Sequence, residues 1–487
     1  MQHIKLIVKY LQMLGLEAWA SGGTARDIYL DRKLTSYDIS VKATLPELQE
    51  KLKERIVKLD NIHGKLTVVY KDTHFNLYPL RRINLINTYP NYESTKYLEE
   101  DATSRDFTVN SLFYNPLEDV WIDICNGRAD ADKKLIKFIG DPLQKILESK
   151  IRILRGTTLP AILGEGWEVE YKTQEALKSY KLKLMGISPH LIQEEILKVF
   201  TRCDQPSTVF NVWRKCNILR EFFPELYHCI NIDQSQKAKS LDLYQHIMYA
   251  LDSVPLKQEN FLVIRLAALL HDIGKPHTEV YTHTGRHFYN HEKVGKSLSK
   301  NILARWGFNK KIINKVATLV EHHLFNVTAS STSASIKKLI SRVGPDNVHD
   351  LLDLRIADRF GTGKKNISMY QVEALRRKIN TELAKISPKE FKLDLPVDTI
   401  KSILKDKTEK DFLDKAVIEV KKYLENKVLM GRVKNKKTNL TKMIKFISKI
   451  DCPLDTPHLF KTWNEHQTGS ADLSPDGKLR CGIYCGF

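Results

Sequence analysis

Histidine and aspartate recur between residues 246 and 358 in a way that could hold a metal. The sequence His271-Asp272-Ile273-Gly274-Lys275-Pro276 closes the apolar stretch from Phe261 to Leu270. By itself such a pair is explained by a capped helix end with a satisfied histidine. This pair has company: His246 lies upstream, and His287, His291, His322-His323 and Asp358 follow. Imidazole and carboxylate together suit Mn, Fe, Co, Ni or Zn better than Ca. A metal so held lowers the pKa of a bound water toward neutrality and provides a nucleophile for phosphorus. A second constellation sits near the start. Ser21-Gly22-Gly23-Thr24-Ala25-Arg26-Asp27 pairs glycines, whose N–H groups can approach a phosphate closely, with an arginine able to reach the same anion. Glu99-Glu100-Asp101, Arg105-Asp106-Phe107-Thr108-Val109-Asn110, Gly140-Asp141-Pro142 and Arg152-Ile153-Leu154-Arg155 follow in order.

The elements that must position these groups change character along the chain. The N-terminus reads as an amphipathic helix, without the apolar block and cleavage site of a signal peptide. Lys65–Tyr70 and His74 to Tyr78 read as strands joined at Lys71-Asp72-Thr73, and a helical pattern follows Gly22-Gly23. From about Asp141 onward the strand signals nearly vanish. Apolar residues then recur at helical spacing, as in Ile192, Ile196, Val199 and in Leu262, Leu266, Leu269. The expected fold class is α+β, a mixed head followed by an all-helical body.

At 487 residues the chain is long enough for roughly three or four domains. Hydrophobic content of 42% with 28% charged residues fits a soluble globular protein, and no run is apolar enough to span a membrane. Seven irregularly spaced cysteines form no disulfide framework, which points to a reducing, cytoplasmic setting. Cys481 and Cys485 make a single pair, weak grounds for zinc. The net charge is +19, and residues 401–450 carry 15 Lys/Arg against 6 Asp/Glu, with no acid at all from Lys427 to Lys449. Excess charge on this scale favours a polyanionic partner, RNA or DNA, over simple solubility.

The ordered series His, His-Asp, His, His-His, Asp resembles the metal-ligand series of the HD phosphohydrolase superfamily. That resemblance implies His246, His271, Asp272 and Asp358 as the primary metal set, with His291 and His322 forming a second half. His323 is interchangeable with His322 at this level. It also implies a catalytic group of His271, Asp272 and Lys275, the lysine neutralising the phosphate under attack. His287 is left between a phosphate contact and a helix cap.

The first series, from about Trp19 to about Phe200, resembles the class II tRNA nucleotidyltransferase (CCA-adding) and bacterial poly(A) polymerase family. Its chemistry is two-metal phosphoryl transfer, with clustered carboxylates holding Mg²⁺. Here Asp38 stands at the second position of the family's Asp-x-Asp pair, but Ser36 stands at the first and Asn76 where a third acid is expected. A neutral Ser and Asn are poor substitutes for anionic ligands of hard cations. Ser104 replaces the first arginine of an Arg-Arg-Asp motif, Thr158-Leu159 replaces Arg-Phe, and His190-Leu191 replaces Glu-Arg. Gly22, Gly23, Arg26, Asp38, Arg105, Asp106, Asn110, Arg152 and Arg155 remain as candidates for binding a nucleotide or RNA end.

The combined resemblance divides the chain into a nucleotidyltransferase-like head (1–140), a helical nucleotide- and RNA-binding neck (141–235), an HD domain (236–380) and a basic helical C-terminal region (381–487). In some bacterial CCA-adding enzymes an HD domain follows the head and acts on phosphate at RNA termini, including 2′,3′-cyclic phosphodiesters. The resemblance thus implies a tRNA 3′-end protein with an active HD hydrolase and an impaired transferase site. Two alternatives stay open, a divergent CTP/ATP-dependent transferase and a non-catalytic tRNA-binding protein. Expected cofactors are a divalent metal in the HD site, with Mg and CTP/ATP only if the head is active. Expected partners are tRNA or tRNA-like RNA and nucleotides, with no membrane and with homo-oligomer formation left open.

Overall fold

A computed structural model describes residues 1–60, 64–86, 89–179, 186–233, 241–283, 285–363, 369–385, 393–405, 413–429 and 433–447. These residues form two compact units. The first comprises residues 1–324 with 353–363, and the second comprises 325–352 with the described residues from 369 onward.

The first unit opens on helix α1 (Gln2–Met13), whose Ile4, Ile7, Val8 and Leu11 are all buried. Their spacing makes one apolar stripe. The stripe packs on a seven-stranded sheet of β1 (Ala18–Ser21), β2 (Asp38–Val41), β3 (Ile56–Asp60), β4 (Lys65–Tyr70), β5 (Thr73–Pro79), β6 (Phe113–Asn115) and β7 (Val120–Ile122). The strand order is β3-β4-β5-β2-β1-β6-β7. Strands β4 and β5 are joined by Lys71 and Asp72, with φ of 47° and 58°. Two positive φ values in a two-residue loop match the right-handed twist of a hairpin. Strand β2 runs parallel to β5 with Asp38 opposite Asn76, a pairing that decides the geometry of the head. Helix α2 (Gly22–Tyr29) starts directly after β1, and Gly22 takes a φ of +60° at that corner.

Beyond the sheet the unit is mainly helical, including α3 (Arg152–Leu163), α4 (Pro189–Arg202), α5 (Leu243–Asp252), α6 (Phe261–Leu270), α7 (His291–Arg305), α8 (Lys310–His322) and the end of α9 (Val348–Gly361). Ile192, Ile196 and Val199 line the buried face of α4, and α6 is buried from Val263 to Leu270. The expected near-absence of strands needs correction in two places, the first a two-residue strand, Glu168–Val169, that pairs parallel with Leu135–Ile136. In the second, a hairpin of β8 (Glu279–Thr282) and β9 (Gly285–Phe288) leads into α7. Its mixture of charged, aromatic and histidine side chains has no apolar alternation, because the hairpin packs little of itself into a core.

The second unit contains helices Ser333–Val343, Tyr370–Lys385, Val397–Leu404, Leu413–Leu429 and Lys437–Ile447. Ile400, Leu404, Val420, Leu424, Leu440 and Ile444 share its apolar cluster. The basic run after Lys427 falls partly on the last two helices. The Cys481 and Cys485 pair and the Gly/Ser-rich stretch 468–476 lie outside the described residues. Among the described residues no helix is long and apolar enough to cross a membrane.

Candidate metal centre and nucleotide cleft

Five helices deliver side chains to one point in the first unit. Asp242 caps α5, accepting from Gln245 N–H at 2.7 Å while the Gln245 side chain accepts from Asp242 N–H at 3.2 Å. This reciprocal cap fixes the first turn, from which His246 points inward. His271 and Asp272 follow the apolar helix α6 and are 0% and 2% exposed. His291 begins α7, His323 follows α8, and Asp358 lies in the last turns of α9.

Asp272 is the hub. Its Oδ2 lies 3.4 Å from His246 Nε2 and 3.2 Å from His271 Nε2. Its Oδ1 lies 3.2 Å from His291 Nε2 and 3.5 Å from His323 Nε2. Asp358 Oδ1 adds contacts of 3.2 Å to His246 and 3.6 Å to His271. Two groups of three donors result, His246 with His271 and Asp358, and Asp272 with His291 and His323.

The backbone decides which ring nitrogen faces this centre. Nδ1 of His271, His291 and His323 lies 2.9, 2.7 and 2.8 Å from the carbonyls of Ala268, Phe288 and Val320. A carbonyl only accepts, so Nδ1 carries a proton in each case and Nε2 is the nitrogen turned toward the carboxylates. Such a second contact is what orients imidazole for a metal. Burial would push the His271 imidazolium down, but Asp272 and Asp358 outweigh it and hold its pKa up to about 10. The Asp272 carboxyl, which burial would raise, is held well below the ordinary range by His271 and Lys275. Buried carboxylates thus hold a compensating positive charge on the ring. This donor set, imidazole nitrogens around two carboxylates, fits a transition-metal ion or a pair of them.

Two glycines permit the convergence. A Cβ on Gly274 would lie 2.3 Å from the His291 carbonyl oxygen, so only glycine lets α7 pass so close to the turn after Asp272. A Cβ on Gly361 would meet His246 Cε1 at 2.6 Å. Lys275 pairs with Asp272 Oδ2 at 2.6 Å, which places its ammonium beside the metal donors.

One expected ligand is corrected. His323, 2% exposed, enters the cluster, whereas His322 lies 3.7 Å from Glu321. Buried Val316, Leu319 and Val320 define the inner face of α8, and His323 continues that stripe. The i, i+3, i+4, i+7 pattern was the sequence signal for it. His287 lies in β9, stacked on Tyr289 rather than among the donors.

The head forms a second site, a cleft of about 540 Å³ lined by Gly23, Arg26, Ser36, Asp38, Tyr78, Asp106, Asn110 and Arg155 together with residues of α3 and α4. Asp38 is held from two sides. Ser36 Oγ donates to its Oδ2 at 3.1 Å, and Asn76 Nδ2 donates to its Oδ1 at 2.9 Å. Thr67 Oγ1 in turn donates to Asn76 Oδ1 at 3.1 Å. The register Asp38↔Asn76 places the amide directly beside the carboxylate. Two additional acids in these places would repel Asp38 unless a cation intervened. Hydroxyl and amide instead satisfy it with protein donors, and they do not fit a two-Mg²⁺ site.

Other head residues separate into lining and frame. Arg26 donates to Asp27 and, at 2.7 Å, to Asn110. Arg155 donates to Glu195 at 2.9 Å and reaches Asp106 at 3.5 Å. Burial pushes Asp106 up, but Arg155 and Arg152 more than offset it and the carboxyl stays ionised below its ordinary range. Gly22, Arg105 and Arg152, expected at the nucleotide, do not line the cleft. Arg105 is paired with Asp101 at 2.7 Å, and Arg152 is buried against Glu148 and the Lys145 and Ser104 carbonyls. An arginine in a motif carries no sign of whether its partner is ligand or backbone, which is why the sequence grouped them. Of the departures noted above, Thr158 and Leu159 do line the cleft, while His190 is exposed and Glu194, Glu195, Lys198 and Arg202 face it instead.

Residues 18–137 match the family described as Poly A polymerase head domain, residues 166–229 the probable RNA and SrmB-binding site of polymerase A, and residues 238–363 the HD domain. A CCA-adding enzyme of Lactobacillus helveticus is 30% identical over 40% of this chain and 48% of its own length. The chain thus spans about half the length of that relative. A CC-adding tRNA nucleotidyltransferase of Thermus thermophilus is 26% identical over 71% of this chain and 76% of its own. In fold, the chain is similar to the Bacillus stearothermophilus CCA-adding enzyme solved with CTP, at a TM-score of 0.60 and 16% identity, over 96% of this chain and 99% of the other.

Proposed function

Because this chain belongs to the CCA-adding enzyme and poly(A) polymerase family and carries an HD domain, we propose that it processes the 3′ end of tRNA or tRNA-like RNA. In this reading its principal catalyst is a metal-dependent phosphohydrolase at Asp272. The observation that carries it is the set of imidazole Nε2 atoms and carboxylate oxygens gathered around Asp272. His246, His271 and Asp358 would hold one ion, and Asp272, His291 and His323 a second. Bound ions would activate water and neutralise the phosphate.

The chain's own groups do the remaining work. Asp272 and Asp358 supply the negative charge, the Ala268, Phe288 and Val320 carbonyls hold the rings in orientation, and Lys275 stands where it can pair with Asp272 or with a substrate phosphate. In the head, Arg26 and Arg155 bind the nucleotide or RNA end, while Asp38, satisfied by Ser36 and Asn76, no longer recruits two ions.

A second reading is favoured by the relatives, which are CCA-adding and CC-adding enzymes: a CTP/ATP-dependent transferase that tolerates Ser36. End-labelled tRNA separates the two. Metal-dependent loss or opening of a terminal phosphate, abolished by Asp272→Ala and largely kept in Asp38→Ala, is the expected result. Nucleotide-dependent lengthening with the opposite mutational pattern would replace the first reading by the second. Binding with neither activity across Mn, Fe, Co, Ni, Zn and Mg would leave a tRNA-binding protein.

A further inference from the structure

Hairpin β8–β9 holds none of the metal donors, yet it gathers exposed apolar and aromatic surface beside them. Val280, Tyr281 and Tyr289 are 46%, 69% and 59% exposed. The register sets Val280 opposite His287 and Tyr281 opposite Arg286. Tyr289, in the turn just after the strand, lays its ring against His287. Their rings are nearly parallel, with centroids 5.3 Å apart and planes at 12°. With one face of Tyr289 covered by His287, its exposure leaves the other face to water. On the opposite side of the hairpin the Arg286 guanidinium lies 5.1 Å over the Tyr281 ring.

The position is more telling than the composition. Tyr289 precedes His291 by two residues, which holds their Cα atoms within about 7 Å. The Phe288 carbonyl between them orients His291, and Lys275 Nζ lies 5.7 Å from the Phe288 ring and 2.6 Å from Asp272. An open aromatic face two residues from His291, within reach of that centre, has the features of a base-stacking platform. A protein partner would call for a wider aliphatic patch, and Val280 is the one large aliphatic residue of the hairpin with such exposure.

We propose that Tyr289, backed by His287, stacks the nucleobase of the nucleotide whose phosphate is bound at the Asp272 centre. This rests on the phosphohydrolase reading and deepens it, since it makes the substrate a nucleotide, free or at an RNA 3′ end, and not an arbitrary phosphoester.

The test compares cytidine 2′,3′-cyclic phosphate, a short RNA ending in the same group, and base-free ribose 2′,3′-cyclic phosphate. Tyr289→Ala is expected to raise KM for the base-containing substrates by about tenfold, with kcat little changed and base-free turnover unaffected. Tyr289→Phe restores the wild-type value. A loss confined to the RNA arm identifies the RNA end as the occupant; a loss in both arms shows that a mononucleotide suffices. Equal effects on all three substrates, or none, overturn the platform. Ultraviolet crosslinking of 4-thiouridine 5′-monophosphate, mapped by peptide, reads the platform without turnover. Label on residues 285–291 that disappears in Tyr289→Ala, with no hydrolysis of any substrate, would keep the platform and remove the hydrolase. Hydrolysis with neither label nor base dependence would do the reverse.

Discussion

At the scale of single residues, the proposed metal centre turns on which of two adjacent histidines points inward. His323 has its Nδ1 on the Val320 carbonyl and its Nε2 3.5 Å from Asp272, while His322 sits beside Glu321. His323→Ala is therefore expected to remove one ion's worth of bound metal, or to weaken it by at least about tenfold. His322→Ala should leave the stoichiometry as in the wild type. Metal analysis of the dialysed proteins checks this, and equal losses in both variants would show that the end of α8 is arranged differently. That these histidines and aspartates would converge was legible from their order in the sequence. The choice within His322-His323 depended on helical phase, and the separation of Arg155 from Arg105 and Arg152 depended on tertiary partners that no spacing reveals. The head's Ser36 and Asn76 were legible as substitutions. That both donate to Asp38 required the β2–β5 register.

At the scale of elements, helix α1, the β4–β5 hairpin and the buried helix α6 follow from periodicity and turn chemistry, because each is held largely by its own pattern. Hairpin β8–β9 was not legible, since its residues face water or a site and not a core. Helix α6 also depends on a residue whose role its pattern hides. Arg265, 1% exposed in the middle of an apolar helix, donates to the Phe200 and Cys203 carbonyls at 2.8 Å each and to Val254 at 2.9 Å. The first two belong to the end of α4 and the residue that follows it. The guanidinium thus closes the open C-terminal carbonyls of the helix that lines the head's cleft and ties them to the helix that ends in His271. Each carbonyl left unpaired costs roughly 1–3 kcal/mol. Arg265→Met, similar in length but unable to donate, is expected to lower the apparent Tm by several degrees in calorimetry. Arg265→Lys should recover only part of it, because an ammonium cannot reproduce the planar fork. An unchanged Tm in Arg265→Met would mean that the carbonyls find other partners.

At the scale of the whole molecule, the proposed division of labour predicts that long and short substrates respond differently to salt. The net charge of +19 acts on every phosphate within reach, and neutralising Z phosphates makes log K fall with log salt at a slope of about −0.7Z to −0.9Z. A tRNA touching three or more phosphates should lose more than about twentyfold in affinity between 50 and 200 mM salt. A 2′,3′-cyclic mononucleotide carries one charge, so its KM at the Asp272 centre should change by no more than about fourfold over the same range. Filter binding of tRNA and steady-state kinetics with the mononucleotide, in matched buffers, give the two slopes. Shallow slopes for both would mean that the charge serves solubility and that the RNA is not gripped along its backbone. Steep slopes for both would place the mononucleotide in a field of many cations and argue against a site whose specificity lies in one phosphate and one stacked base. A steep slope for tRNA beside a shallow one for the mononucleotide is the pattern expected when capture of the RNA and hydrolysis of its terminal phosphate are performed by different parts of the chain.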